Sequence, residues 1–368
     1  MKVIKELAPL SPQQNEALLA MLPAHVNPEK IVFWDIETTG FSRRYDSIYL
    51  MGYFYWEGRT PYLEQHLCSS TAEEIGLLEN FLQKMDDFEV LVSFNGDTFD
   101  IPFVQERLKQ MRVRGHLSEF RSMDLYKMYR PYASFFGWTN CKLKSIECFL
   151  NLERRDTMDG GELIEVFYEY SRTDDPGLQK TLLLHNYEDI LNLPYLLKIQ
   201  HYMDFLKSAA VTGLQVRPQG QKMILDFTLS QNPPLSIQGQ FLIHKKSVPV
   251  DLRTDCQKPH IELSVPIRTD TLRYYLPNYK EYYVLPSGQL MHKSLGTPPQ
   301  KKAATKADCF LPRTGTFLPA AGELEGLHPF RTDSRDKSIY LEIEELQRWL
   351  PQQEEAALQQ FLQQYLPF

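Results

Sequence analysis

The sequence predicts an α/β fold, a mixed sheet flanked by helices, followed by a second, smaller β-rich domain. Three observations predict it. Apolar, β-branched and aromatic runs of strand length stand at Ile31–Trp34, Ser47–Trp56, Tyr62–Cys68 and Val90–Phe94, and after the third run they alternate with helical patterns. Past Ser208 the pattern changes to short β-type runs punctuated by Gly213, Pro218-Gln-Gly220 and Pro233-Pro234. At 368 residues the chain exceeds one average domain, so two are expected. The expected divisions are a helical leader (1–29), a sheet-and-helix domain (30–208) and a β-rich accessory domain (209–368) that ends in a helix.

In the leader, Ser11-Pro12 supplies an N-cap and a first helical position ahead of Glu16–Leu22. Ile31-Val-Phe-Trp34 is continuously apolar and reads as a buried central strand, ended by Thr38-Thr39-Gly40. The next two strands follow through short connections, the second bearing Gly58, which suits an antiparallel start to the sheet. Ser70-Thr71-Ala-Glu-Glu predicts a capped helix through Met85. Asn95-Gly96 turns the chain after the fourth strand, and Pro102 stands where a first helical turn accepts it, so a helix reaches about Met111. Arg121–Tyr126 reads as a short strand turning into helix, with Asp124 as its cap. Lys142–Leu150 and Glu162–Arg172 are helical, and Arg154-Arg155-Asp156 to Gly160-Gly161 is a loop. Phe167, Tyr168 and Tyr170 read as core rather than as a base-stacking platform. A long helix is expected from about Gly177 to Lys207, kinked at Pro194.

Chemistry enters with Asp35 and Glu37 at the end of the central strand. Positions two apart share a face, and two ionised carboxylates there repel and resist desolvation. A divalent cation removes that penalty, and carboxylate oxygens suit Mg²⁺ or Mn²⁺. Taken alone, the pair also reads as an ordinary strand end facing water. Asp100 lies at a helix N-terminus beside a strand end; it is either an N-cap or, with Asp97 as the cap, free to face the other acids. His185 and Asp189 are four apart on one helix face. The leucines before them and Ile190 and Leu193 after them turn that face inward, although such a pair alone is commonly a surface one.

Asp35-Ile-Glu37-Thr-Thr-Gly, Asn95-Gly-x-x-Phe99-Asp100-x-Pro102 and His185-Asn186-x-x-Asp189, in this order and spacing, resemble the ribonuclease-H-like DEDD exonucleases. More narrowly they resemble the YprB-type group of bacterial predicted exonucleases. The resemblance runs from about Ile31 to Leu206, a little under half the chain, and takes in Met123-Asp-Leu125, Leu143-Lys-Ser-Ile-Glu147 and Tyr168-x-Tyr170. It implies a ribonuclease-H-like mixed sheet and metal-dependent 3′–5′ exonuclease action on nucleic acid, DNA favoured, single-stranded or with a free 3′ end. It implies two divalent cations, Mg²⁺ or Mn²⁺. Asp35 would bridge both, Glu37 and Asp189 would serve the one that activates water, and Asp100 the other. His185 would act as general base or orient the water. Thr38, Asn95 and Phe99 would hold the terminal nucleotide. The wider superfamily has a Tyr four residues, or a His five residues, before the last Asp; here a His stands at four, as in the YprB-like group. The alternative is a catalytically silent nucleic-acid-binding or scaffolding protein on the same fold, with a helicase as partner.

The second domain is expected to contain strands at Lys222–Leu229, Leu235–His244, Ile261–Ile267, Thr271–Leu276 and Tyr282–Leu285, then a helix at about Glu354–Tyr365. Lys301, Lys302 and Lys306 with Tyr274, Tyr275, Tyr279, Tyr282 and Tyr283 read either as a basic aromatic face or as a lysine loop over core tyrosines. The net charge of −7 is uneven, with 22 Lys+Arg against 31 Asp+Glu in residues 1–208 and 18 against 16 after it. Bulk charge therefore does not advertise nucleic-acid binding, although bound cations would reverse the sign locally. Five scattered cysteines without a Cys-x-x-Cys pair indicate neither a zinc knuckle nor a disulfide frame. With no signal-type segment or membrane span, a reducing cytoplasm is expected.

Overall fold

A computed structural model describes residues 1–23, 26–115, 117, 120–243 and 248–366. The chain divides into two compact units, one of residues 1–133 with 138–201, the other of residues 134–137 with 202–368. The division at 201/202 falls inside a helix, seven residues before the boundary read from composition at 208/209.

The first unit is built on a six-stranded mixed sheet in the order β1-β4-β3-β2-β5-β6. The strands are β1 (Lys2–Leu7), β2 (Ile31–Thr38), β3 (Ile48–Glu57), β4 (Thr60–Leu67), β5 (Val90–Ser93) and β6 (Arg121–Asp124). β1 to β2 pair antiparallel through β4 and β3, while β2, β5 and β6 run parallel. The helices are α1 (Pro12–Met21), α2 (Glu74–Met85), α3 (Asp100–Gln110), α4 (Leu125–Tyr129), α5 (Leu143–Phe149), α6 (Gly160–Thr173), α7 (Pro176–Asn192) and α8 (Leu197–Ser208).

Alternation along β2 sorts its side chains. Trp34 packs on Phe81 of α2 at 5.3 Å between ring centroids, and Tyr53 of β3 faces the same ring. Asp35 therefore points to the opposite face. There the register sets Asp35 against Gly52 of β3, and Gly52 against Gln65 of β4. Helix α7 lies across β2, β3 and β4. Its apolar side and the parallel part of the sheet are buried with Leu182 and Ile190 fully inside.

Four expectations are corrected. The leader is not helical throughout, because Lys2–Leu7 joins β4 as an edge strand. With Val3 and Leu7 exposed, that strand lacks the apolar alternation that would have marked it. Within the leader, Ser11 does cap α1 in a capping box with Gln14, and Ala24 and His25 lie outside the described residues. Ser70 makes no side-chain cap; a 3₁₀ turn, Thr71–Glu73, precedes α2. Neither Asp97 nor Asp100 caps α3: Phe99 takes the N-cap position and Asp100 is the first helical residue. The long helix is broken, with Pro194 inside a 3₁₀ turn (Leu193–Leu196) between α7 and α8, since proline cannot donate the backbone bond that would continue α7.

The second unit is β-rich. β7 (Val211–Gln219), β8 (Lys222–Leu229), β9 (Gln238–Ile243), β10 (Val248–Thr254) and β11 (His260–Pro266) form an antiparallel sheet in the order β7-β8-β11-β10-β9. β12 (Arg268–Tyr275), β16 (Phe310–Ala320), β17 (Phe330–Arg331) and β18 (Ile339–Glu342) close a small barrel. β13 (Tyr282–Val284), β14 (Leu290–His292) and β15 (Lys302–Ala303) make a third sheet, and α9 (Ile343–Trp349) and α10 (Glu355–Gln363) complete the unit. Of the tyrosines singled out above, Tyr275 is buried and Tyr283 lies beneath Lys293 and Lys301. His244 of an expected strand and Pro367 and Phe368 of the C-terminal segment lie outside the described residues.

Candidate active site

The site is on the face of β2 that α7 covers, within the first unit. Asp35 and Glu37 enter from the strand, Asp100 from the start of α3, and His185 and Asp189 from α7. Glu37, His185 and Asp189 each offer a ligand atom, and the three atoms lie within 4.8 Å of one another. His185 Nε2 is 3.6 Å from Glu37 Oε1 and 3.9 Å from Asp189 Oδ2.

Charge ties the remaining acids to this group. Burial pushes the Asp35 carboxyl well up, and Glu37, Asp189 and Asp100 push it further. Glu37 is raised in the same way, by burial and then by Asp189, Asp100 and Asp156, with Arg154 opposing. Burial pushes Asp100 up to about 7, against bonds from backbone amides including that of Ile36. Such a set of mutually repelling, buried carboxylates is stable as anions only beside a cation. Its oxygen-dominated donors fit a hard divalent ion.

The protein supplies one such cation itself. Arg154, buried in the loop after α5, donates from Nη1 to Glu147 Oε1 and Oε2 at 3.0 and 2.8 Å. Its Nη2 reaches Asp189 Oδ1 at 2.5 Å and Asp156 Oδ2 at 3.3 Å. Asp189 is thus held by one oxygen, while the other faces His185. Asp156 Oδ2 also receives Lys144 Nζ at 2.9 Å and sits 2.8 Å from His185 Nδ1. That contact orients the ring so that Nε2 faces Glu37 and Asp189. Glu188 holds the same loop by accepting the backbone amides of Arg155 and Asp156.

Asn186 fixes Asp35. Its Nδ2 donates to Asp35 Oδ2 at 3.0 Å, and its Oδ1 accepts from Gln65 Nε2 at 2.9 Å. The amide therefore bridges the lateral row Asp35–Gly52–Gln65 across three strands. It fits because Gly52 has no side chain: a Cβ there would lie 2.1 Å from Asn186 Oδ1.

The expected nucleotide-holding residues are occupied locally. Thr38 Oγ1 donates to Gly40 O at 2.7 Å. Asn95, at φ 70°, accepts from Thr98 Oγ1 on its Oδ1 at 2.6 Å while its backbone N–H donates to Asp124 Oδ1 at 2.9 Å. Asp124 caps α4 by accepting the Lys127 amide, as read from the sequence. Phe99 packs on Phe103 and meets Phe41 edge-on. Sequence reading left Arg154 and Asp156 in a loop, left Glu147 and Asn186 as motif matches without a role, and passed over Gly52 and Gln65. Only Gly52 carried a signal, a lone glycine inside an apolar strand, which marks close approach of another group.

Residues 32–200 match the sequence profile of the RNase_H superfamily. The uncharacterized protein YprB of Bacillus subtilis (strain 168) is 30% identical over 171 residues. Residues 32–200 form a ribonuclease-H-like domain that is similar in sequence to YprB. The YprB alignment takes in 45% of this chain and 41% of that relative, so the chain spans well under half of YprB. Among solved structures, the family B DNA polymerase from the hyperthermophilic archaeon Pyrobaculum calidifontis aligns with 50% of this chain and 26% of its own, at a TM-score of 0.39 and 18% identity. Among the described residues, no helix of the ribonuclease-H-like unit or of the β-rich unit is long and apolar enough to cross a membrane.

Proposed function

We propose that the chain is a metal-dependent 3′–5′ exonuclease of the DEDD type that hydrolyses phosphodiester bonds of nucleic acid, DNA favoured. The observation that supports the reading is the cluster of Glu37, His185 and Asp189, with Asp35 and Asp100 near enough to act on it through their charge. Bound Mg²⁺ or Mn²⁺, two ions in this mechanism, supplies the charge that stabilises the attacking and leaving oxygens. Asp35, Glu37, Asp100 and Asp189 are the residues that hold them.

The rest falls to the chain's own side chains. His185 accepts the proton of the attacking water at Nε2, the nitrogen left free by the Asp156 bond at Nδ1. Arg154 turns Asp189 so that Oδ2 faces the reaction while Oδ1 is engaged. Asn186 leaves one oxygen of Asp35 unengaged by donating to the other. Phe99 and the backbone after Glu37 receive the terminal nucleotide. The five cysteines are all free, in keeping with work in a reducing cytoplasm.

A 5′-labelled single-stranded oligonucleotide, incubated with the full chain and Mn²⁺, should shorten stepwise from its 3′ end. Asp35→Asn and Asp189→Asn should each lower the rate at least a thousandfold while circular dichroism remains that of the wild type. An unshortened strand with the wild type, or normal shortening with either variant, would refute the assignment.

A further inference from the structure

Beside the acid centre the loop 39–47 presents two aromatic rings to solvent, Phe41 at 82% and Tyr45 at 78% exposure. This loop is not loose. Thr39 and Ser47 exchange backbone and hydroxyl bonds at its base. Asp46 Oδ2 accepts the Ser42 amide at 2.7 Å across it, and Gly40 has no side chain because a Cβ there would lie 2.4 Å from the same oxygen. Arg107, paired inside with Glu74, donates to the Arg44 carbonyl. Arg43 donates to the carbonyl of Thr98, two residues before Asp100. The anchored backbone thus holds Phe41 in water against the edge of Phe99, at 6.3 Å between centroids. Holding a bare ring in that place has a cost in apolar exposure that a stacked partner would remove.

The loop and α3 bound a cavity of about 650 Å³. Its exposed cations are Arg43, Arg44 and Lys109, and none of them has a carboxylate in ion-pair range among the described residues. The one acid there, Glu106, is engaged by Gln110 Nε2. Most other cations of this acidic unit are paired, among them Lys2, Lys5, Arg59, Lys84, Arg107 and Lys127. From Asp100 to Lys109 the helix advances about 14 Å, on the order of four stacked nucleotides. A flexible polyanion with flat apolar faces fits cations and an exposed ring in that arrangement.

We propose that the groove between loop 39–47 and α3 binds the single-stranded nucleic acid that leads to the acid centre, its phosphates on Arg43, Arg44 and Lys109 and one base stacked on Phe41. The proposal rests on the nuclease reading for its substrate, yet its test does not require turnover. A fluorescein-labelled oligothymidylate is titrated with the full chain in EDTA, by anisotropy, at two salt concentrations. Arg43→Glu with Lys109→Glu should weaken binding at least tenfold at low salt. It should flatten the log–log salt slope by roughly 1.4, about 0.7 per lost phosphate contact. Phe41→Ala should weaken binding about tenfold with the slope unchanged. Wild-type affinity and slope in both variants would overturn the groove, even if the wild type hydrolyses the strand with Mn²⁺. Weakened binding in the variants with no hydrolysis by the wild type would keep the groove and remove the nuclease reading.

Discussion

Asn186 sits over Gly52 with one hydrogen bond to Asp35 and another from Gln65, and this one amide decides where the first acid points. Gly52→Ala places a methyl group 2.1 Å from the amide oxygen, so the Asn186 amide must move off Asp35, alone or with α7. A misplacement approaching 1 Å at reacting groups lowers rates on the order of a hundredfold. We expect Gly52→Ala to lower kcat by about that factor and the melting temperature by a few degrees, measured by steady-state kinetics and calorimetry; unchanged kcat would sink the positioning role. At this scale the sequence was half legible. Carboxylates in an ordered spacing announce themselves because few other arrangements need them. Arg154 and Asp156 do not, because a charged pair in a loop looks the same whether it faces water or neutralises buried acids.

At the scale of elements, strands with continuous apolar runs were legible within a residue or two: β3 lies at Ile48–Glu57 against an expected Ser47–Trp56. β1 was not legible, since an exposed edge strand buries too little to enforce a pattern. In the same part of the sheet, β4 carries a buried ionic knot. Glu64 accepts from Tyr55 Oη at 2.6 Å and Lys84 Nζ at 2.8 Å, and His66 Nε2 lies 2.7 Å away. Burial opposes its charge, but these partners hold it down to about 2, below the ordinary 4.5. A depressed carboxyl stabilises the fold above its unfolded value, and that stabilisation is lost as the pH falls from about 4.5 through about 2. Glu64→Gln should therefore cost roughly 2 kcal/mol at pH 7, and the gap to wild type should close towards pH 2. Urea melts across that range check it, and a gap independent of pH would contradict it.

For the whole molecule, the acid centre sets a linkage of the opposite sign. Asp35, Glu37 and Asp100 are all raised, Asp100 to about 7. Their raised values favour the fold at pH below about 4, and that contribution is lost as the pH climbs through 7. Metal-free protein should lose stability between pH 5 and pH 8, and Asp100→Asn should flatten that loss, as followed by thermal melts in EDTA. Saturating Mn²⁺ at pH 8 should restore stability, by about 2.7 kcal/mol at a hundred times the dissociation constant. The change of punctuation near Ser208 falls seven residues past the division between the two units, and the assignment of residues 134–137 to the second unit was not legible, because tertiary packing alone decides it. The central claim is that oxygens from β2, α3 and α7 together hold divalent ions. Isothermal titration of the full chain with Mn²⁺ at pH 7.5 tests it most directly. Two ions per chain should bind the wild type, with binding weakened at least tenfold in both Asp35→Asn and Asp189→Asn. A wild type that takes up no Mn²⁺, or variants that bind it equally well, would contradict the account.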